Sequence, residues 1–107
     1  MTNAQFPTPL APLEPLLSDP EVQEIMVDAP DKVLVQRGNQ IVETEVKFAS
    51  AEALRAAIDA ALALGGSAFK PGETICDTTL TDGTRVLGVL SPTAVSGPYM
   101  ILRKFFT

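Results

Sequence analysis

The pair Asp82-Gly83 stands between two β-prone runs, so this 107-residue chain is expected to turn back on itself there. A tight hairpin turn needs a positive φ angle, which glycine adopts without steric cost. We therefore predict a hairpin of strands Ile75–Thr81 and Arg85–Leu90. The second strand raises two questions, because it opens with an arginine and carries Gly88 where a packing side chain is expected.

Four further strands are predicted from runs of β-prone residues bounded by turn signals. They are Glu24–Val27, Lys32–Arg37, Gln40–Val46 and Tyr99–Phe105. A helix at 51–64 separates three strands from the other three. This order is typical of an α+β fold, here with about six strands in a largely antiparallel sheet and helices packed on it.

The predicted helix Ala51–Leu64 has clear signals at both ends. Ser50 is a suitable N-cap, and Gly65-Gly66 can end the helix. Its residues at helical spacing are expected to face the core. They are Leu54, Ile58, Ala61 and Leu62.

Leucines at helical spacing also occur close to the N-terminus, at positions 10, 13, 16 and 17. They predict one or two helical turns with Pro12 near the start, because proline is tolerated in the first turn of a helix. The polar, proline-containing residues 1–9 are expected to be flexible, and residues 10–107 to form a single domain.

The composition excludes several kinds of function. The net charge is −5 and the eight Lys and Arg residues are scattered, which argues against a nucleic-acid groove or a lipid-binding patch. Without histidine, and with Cys76 as its one cysteine, the chain has no Ser-His-Asp or Cys-His catalysis and no thiol-rich zinc site. The sequence shows neither a signal peptide nor a transmembrane run, so we predict a cytoplasmic protein.

Neither the carboxylates nor the cysteine suggest an enzyme. The pairs Asp28/Asp31 and Asp77/Asp82 are interpreted as turn and cap residues rather than as general acids and bases. Cys76 is interpreted as a small hydrophobic residue of a strand. The glycines of "GGSAFKPGE" do not form a phosphate-binding loop, because no Gly-Lys-Ser/Thr follows them.

The candidate functional residues are Arg85 and Arg103. A period of two places Arg103 on one strand face with Tyr99, Ile101 and Phe105, which is an unusual neighbourhood for a surface charge. Each arginine could lie along apolar surface or form a structural ion pair. Alternatively, both guanidiniums could converge on an anion, since a guanidinium stays charged and binds phosphate oxygens in pairs. The residues alone leave both interpretations open.

Several motifs occur in an order that resembles a known family. The segment "LEPLLSDPEVQEIMVDAPDKVLVQRGNQI" precedes the long helix, and "DTTLTDGTRVLGVLSP" and "GPYMILRKF" follow it. Over residues 10–106 this order resembles the N-terminal, PAS-like domain of the type II and type IV secretion ATPases, and is most similar to their Tad-pilus branch. The ordered set of motifs, rather than any single one, carries the resemblance.

The resemblance implies a role in a pilus-assembly or protein-transport motor. In that family the partner is a RecA-like motor domain in a homo-hexamer, with ATP and Mg²⁺ bound in the full-length protein and the nucleotide between the two domains. Arg85, in Gly-Thr-Arg-Val, and Arg103, in Leu-Arg-Lys-Phe, match positions that reach the terminal phosphate. Gly88 departs from the larger residue of the family pattern. An inner-membrane platform protein is a further expected partner.

The same resemblance limits what this chain is expected to do alone. It contains no phosphate loop, so we expect no ATP hydrolysis, no tightly bound nucleotide, and a monomer or weak oligomer. The chain is either an excised domain of a longer protein, which the position of its end favours, or a stand-alone remnant. The alternative function is a PAS-like interaction or regulatory module without ATPase activity, and a small enzyme ranks third.

Overall fold

A computed structural model describes residues 7–91 and 97–104 of the chain. Two short helices come first, a 3₁₀ helix (Thr8–Leu13) and α1 (Glu14–Leu17). They are followed by β1 (Val22–Ala29), β2 (Lys32–Arg37), β3 (Gln40–Glu43), α2 (Ala51–Leu64), β4 (Ile75–Thr79), β5 (Arg85–Val89) and β6 (Tyr99–Arg103). The predicted α+β order of strands and helices is confirmed.

The six strands form one sheet in the order β3-β2-β1-β6-β5-β4, and every neighbouring pair is antiparallel. Each half of the chain contributes three consecutive strands that fold back and forth. The two halves join at the centre of the sheet, where β1 pairs with β6. This is the predicted antiparallel, PAS-like arrangement, and it places the end of β6 beside the start of β1.

The predicted hairpin is present, with a turn of three residues between its closing pair. Gly83 N donates to the carbonyl oxygen of Leu80 at 2.9 Å, and Leu80 N donates to that of Thr84 at 2.8 Å. Gly83 has φ of 92°, and Asp82 Oδ1 accepts a hydrogen bond from Thr84 N at 2.9 Å. The Asp-Gly pair therefore acts through the positive φ of its glycine and the carboxylate of its aspartate.

Strand β3 ends at Glu43, three residues before the predicted end at Val46. Thr44 accounts for the difference, because its backbone N–H and its Oγ1 both donate to the carbonyl oxygen of Val33, at 2.8 and 2.9 Å. Thr44 Oγ1 also accepts from Val46 N at 3.2 Å, so the chain leaves the ladder. The strand therefore stops before Thr44, and Val42 within it is 40% exposed.

The other strand bounds differ by smaller amounts. β1 is longer than the predicted Glu24–Val27, because Val22 and Ala29 also pair with β2. β4 and β5 end at Thr79 and Val89, two residues and one residue before their predicted ends. The predicted end of β6 at position 105 and the loop residues 92–96 lie outside the described residues.

Helix α2 packs on one face of the sheet, called the covered face below. Its predicted stripe is fully buried, and Ser50 Oγ caps it by accepting from Ala53 N at 3.1 Å. Buried strand residues beneath the helices include Ile25, Val27, Val33, Val35, Val86, Met100 and Leu102. The core is thus built between the covered face and the helices.

Gly88 lies on the covered face under α2. A Cβ atom at this position would lie 2.6 Å from Ile58 Cγ2 and 3.3 Å from the Phe69 ring. The missing side chain therefore lets α2 approach β5 closely, which explains the glycine in an otherwise apolar strand.

The N-terminal helices complete the covering of this face. Leu10, Leu13 and Leu16 are buried, whereas Leu17 is only half-buried. Pro12 lies inside the 3₁₀ helix rather than near its start, and this helix begins within the segment 1–9 that was predicted to be flexible. Within residues 7–91 and 97–104 no helix is both long and apolar enough to cross a bilayer, and the longest, α2, has 14 residues.

Candidate functional site

The second face of the sheet carries no helix in the part of the chain that the structure describes, and it is called the open face below. Its side chains form rows across the strands, because residues in register point to the same side. The central row is apolar and half-buried. It runs from β2 to β5 as Leu34, Met26, Ile101 and Leu87.

The next row of the open face brings the two predicted arginines together. Arg85 of β5 and Arg103 of β6 are direct register partners in the antiparallel ladder. Cβ atoms in such a pair are about 4.5–5.5 Å apart, so the two guanidiniums can reach the same ligand. Both side chains are exposed. The strand pairing therefore places Arg85 and Arg103 side by side on the open face.

A shallow cavity of about 210 Å³ lies at this pair. Its floor is apolar and its rim carries the two guanidiniums together with one carboxylate. The lining residues are Asp77, Arg85, Val86, Leu87, Ile101 and Arg103. An anion could contact both cations here.

The two arginines of the open face are poorly engaged by the protein itself. Arg103 Nε lies 3.9 Å from Glu24 Oε1, and the Arg103 side chain is 74% exposed. Arg85 has no ion pair within 4 Å in the described ranges. Such an arrangement leaves guanidinium donors available to a ligand.

The other two arginines of the chain form closer contacts. Arg37 NH2 lies 2.7 Å from Asp19 Oδ2. Arg55 Nε donates to both carboxylate oxygens of Asp59, at 3.2 and 3.0 Å, and its guanidinium lies 5.3 Å from the centre of the Phe69 ring. The contrast singles out the open-face pair as the arginines with free donors.

The predictions for the aspartates are partly wrong. Asp82 and Asp31 occupy turns as predicted, but Asp28 lies in β1 and Asp77 in β4. Both of these strands extend through their aspartates, since the residues on either side pair with a neighbouring strand. Asp77 consequently belongs to the arginine cavity, which no local sequence signal indicated.

Cys76 fits its predicted role as a small hydrophobic residue. It is half-buried in β4 and packs against the core. Burial, assisted by the nearby carboxylates of Glu73 and Asp77, raises the pKa of the Cys76 thiol. The thiol is therefore protonated at neutral pH and a poor nucleophile.

Lys104 is a functional candidate that the sequence patterns did not identify. Its Nζ donates to the carbonyl oxygens of Leu16 and Asp19, at 2.8 and 2.7 Å, and its backbone N–H donates to that of Gln23 at 2.9 Å. Burial lowers the pKa of Lys104, while the Asp19 carboxylate acts in the opposite direction. The only available signal was a lysine at a core-facing position of a strand, two residues after Leu102.

The open-face pair suits an anion better than a metal ion. Two adjacent guanidiniums with free donors match phosphate oxygens. Over the described residues, no three His, Cys, Asp or Glu side chains are grouped to hold a metal ion. The open-face pair therefore offers hydrogen-bond donors to an anion.

No protein-family model matches the sequence. Two Mycobacterium tuberculosis proteins, of strains CDC 1551 and H37Rv and provisionally named conjugal transfer proteins, are 31% identical over 97 residues. The match covers 85% of this chain and 28% of each relative. Among solved structures, the VirB11 ATPase of the Brucella suis type IV secretion system, in complex with sulphate, superposes with a TM-score of 0.76 at 24% identity.

The structural match covers 92% of this chain and 31% of the VirB11 chain. The similarity establishes that the two share this α+β fold. The chain spans less than a third of each of these proteins, so they contain long parts that have no counterpart in it.

Proposed function

We propose that this chain is the N-terminal domain of a secretion or conjugation ATPase. Its open face contacts a RecA-like motor domain, and Arg85 and Arg103 bind the terminal phosphate of a nucleotide held by that motor. The similarity to conjugal transfer proteins and to a type IV secretion ATPase supports the setting. The proposal includes the Tad-pilus branch, which the ordered motifs resemble most, and the hexameric assembly that this resemblance implies.

The observation that carries the proposal is the register pairing of Arg85 with Arg103. Like charges placed directly opposite each other across strands destabilise a sheet. Glu24 Oε1 lies 3.9 Å from Arg103 Nε, and an anion bound between the two arginines would offset the repulsion that remains. The neighbouring apolar row of the open face offers a surface for the domain that would present this anion.

In this proposal the domain contributes to turnover without carrying it out. Guanidiniums aimed at a terminal phosphate stabilise the charge of the phosphoryl group as it is transferred. ATP would be held by the phosphate loop of the motor, and Mg²⁺ by carboxylates there. Contact with a phosphate that is present before hydrolysis and absent afterwards would make the angle between the domains depend on the nucleotide.

The alternative is an interaction or regulatory module of the same fold that works without a motor. The apolar row of the open face would suit it equally well, since any protein partner could cover that row. The two proposals differ over the arginines, which would contact carboxylates of a protein partner in the module but a bound phosphate in the complex with a motor.

The test reads the encoding frame past Thr107, where the proposal expects a motor domain with a phosphate loop, and then measures ATP turnover of the full-length protein. Arg85→Ala and Arg103→Ala are each expected to lower turnover about ten- to a hundredfold, since a charge-assisted hydrogen bond is worth about 1.5–3 kcal/mol. Arg55→Ala is the matched control, because its guanidinium contacts Asp59 and Phe69 on the helix side of the sheet. Turnover equal to wild type in folded Arg85→Ala and Arg103→Ala proteins would refute the phosphate role.

A further inference from the structure

Lys104 follows Arg103 in the chain, but its side chain lies on the covered face of the sheet. There its ammonium group donates to two backbone carbonyls at the C-terminal end of α1, those of Leu16 and Asp19. Carbonyl groups at the end of a helix carry partial negative charge, so a cation is favoured there. The side chain thus links the end of β6 to the N-terminal helix.

The link extends to two further strands. Lys104 N donates to the carbonyl oxygen of Gln23 at the start of β1. Asp19, whose carbonyl accepts from Lys104, uses its carboxylate to bind Arg37 at the end of β2, at 2.7 Å. The same carboxylate accepts from Glu21 N at 2.9 Å. The ends of β6, β1, β2 and α1 are therefore joined at one corner of the sheet.

Arg103 is the last residue of β6, and strand ends fray where no further pairs hold them. Its register partner Arg85 is the first residue of β5, so fraying of β6 would separate the two guanidiniums. Lys104 is the described residue next to this end, and its three hydrogen bonds oppose such fraying.

We propose that Lys104 is a positioning residue for Arg103: its bonds to the end of α1 keep the last residue of β6 opposite Arg85, so that both guanidiniums reach one phosphate group. The inference rests on the proposed function, because it assigns Lys104 a role in the same anion site. It also couples the N-terminal helix to that site, since a displacement of α1 would release the end of β6.

The test compares Lys104→Met with Lys104→Arg in the purified chain. Methionine keeps the length and packing of the stem but has no donor, whereas arginine keeps the charge and the donors. The probe is inorganic tripolyphosphate, titrated while NMR follows the side-chain Nε–H signals of Arg85 and Arg103. Lys32→Met removes one exposed positive charge at the other end of β2 and controls for the loss of net charge.

Lys104→Met is expected to weaken tripolyphosphate binding at the two arginines at least about fivefold. Binding would then have to order Arg103, and the entropy cost of ordering one backbone residue lowers a binding constant by roughly five- to thirtyfold. Lys104→Arg and Lys32→Met should stay within about twofold of wild type, since each keeps the bonds to α1. The amide of Arg103 should also exchange with solvent faster in Lys104→Met. A purely structural lysine would lower the free energy of unfolding and leave the affinity of the folded protein unchanged.

Wild-type affinity in a folded Lys104→Met protein overturns the proposal, as does an equal loss in Lys104→Arg or in Lys32→Met. If Lys104→Met does not fold, Lys104→Gln replaces it with the same expectations. If the wild-type chain does not bind tripolyphosphate at the arginines, the anion role in the proposed function fails. In that case the hydrogen-exchange rate of the Arg103 amide still tests whether Lys104 holds the end of β6 in place. An unchanged rate in Lys104→Met would refute that role.

Discussion

Replacing Arg85 by glutamine should stabilise this chain, which is the reverse of what removing a structural arginine does. Arg85 faces Arg103 across the ladder and has no ion pair within 4 Å among the described residues. Glutamine keeps most of the side-chain stem and removes the charge. The substitution therefore relieves repulsion without breaking an ion pair.

The size of the effect follows from the register pairing. Two unit charges about 7 Å apart in a water-like dielectric repel by about 0.6 kcal/mol. This lies within the range of about 0.2–1 kcal/mol found for cross-strand charge pairs. For a domain of about 100 residues it corresponds to a rise in Tm of about 2–5 °C. In 0.5 M salt the rise should mostly disappear, because the Debye length falls to about 4–5 Å.

The assay is thermal unfolding followed by circular dichroism at 20 mM and 500 mM sodium chloride. Arg55→Gln serves as the control, since Arg55 pairs with Asp59 and lies over Phe69, and its loss should lower Tm. In an Arg103→Gln background, Arg85→Gln should give no rise, because the repelling partner is gone. A fall in Tm at low salt, similar to that of Arg55→Gln, would show that Arg85 is structural and refute the reasoning.

Three further predictions concern the rest of the domain. Ser50→Ala should lower the free energy of unfolding by about 1 kcal/mol through loss of the α2 cap, with Ser50→Asp restoring it in urea titrations. Gly88→Ala should lower the free energy of unfolding by about 1–3 kcal/mol in the same titrations, because the new Cβ would lie 2.6 Å from Ile58 Cγ2. An unchanged free energy of unfolding would mean that α2 can shift away from β5 without cost. The backbone N–H of Glu21 and a nearby guanidinium hold the pKa of Asp19 below its ordinary value of 3.8. The Asp19 carboxylate therefore contributes its full stabilisation above about pH 4, and this stabilisation is lost as the pH falls through the lowered pKa of Asp19 in the folded protein. NMR titration of Asp19 should give a midpoint below 3.8.

Local signals were sufficient where a structural element is determined by its own residues. Helix α2 has the predicted bounds Ala51–Leu64 because its cap and its terminal glycines are adjacent in sequence. The hairpin likewise follows from Gly83 and its positive φ. The end of β3 was not predictable, because it depends on a contact between Thr44 and Val33, eleven residues apart, that exists only after β2 and β3 have paired.

The candidate site was predictable only in part, for the same reason. A period of two identified the face of β6 that carries Arg103, but its pairing with Arg85 depends on β5 and β6 being neighbours in the sheet. Asp77 enters the cavity through the register of β4 against β5. Lys104 was missed because its partners, at the end of α1, are 85 and 88 residues away in sequence.

The open face combines two features that each disfavour an isolated domain, and a single partner would have to offset both. The paired guanidiniums of Arg85 and Arg103 repel each other, and the adjacent row that contains Ile101 and Leu87 keeps apolar surface in water. A free phosphate ion would relieve the repulsion but leave the apolar row exposed. A protein surface without a carboxylate or another anion at this point would cover the row but leave the charges unpaired. A protein surface that presents a bound phosphate satisfies both, and a nucleotide held by a motor domain has this combination. Tripolyphosphate alone should therefore bind the chain weakly, and the motor carrying its nucleotide should bind it more tightly than the motor without nucleotide.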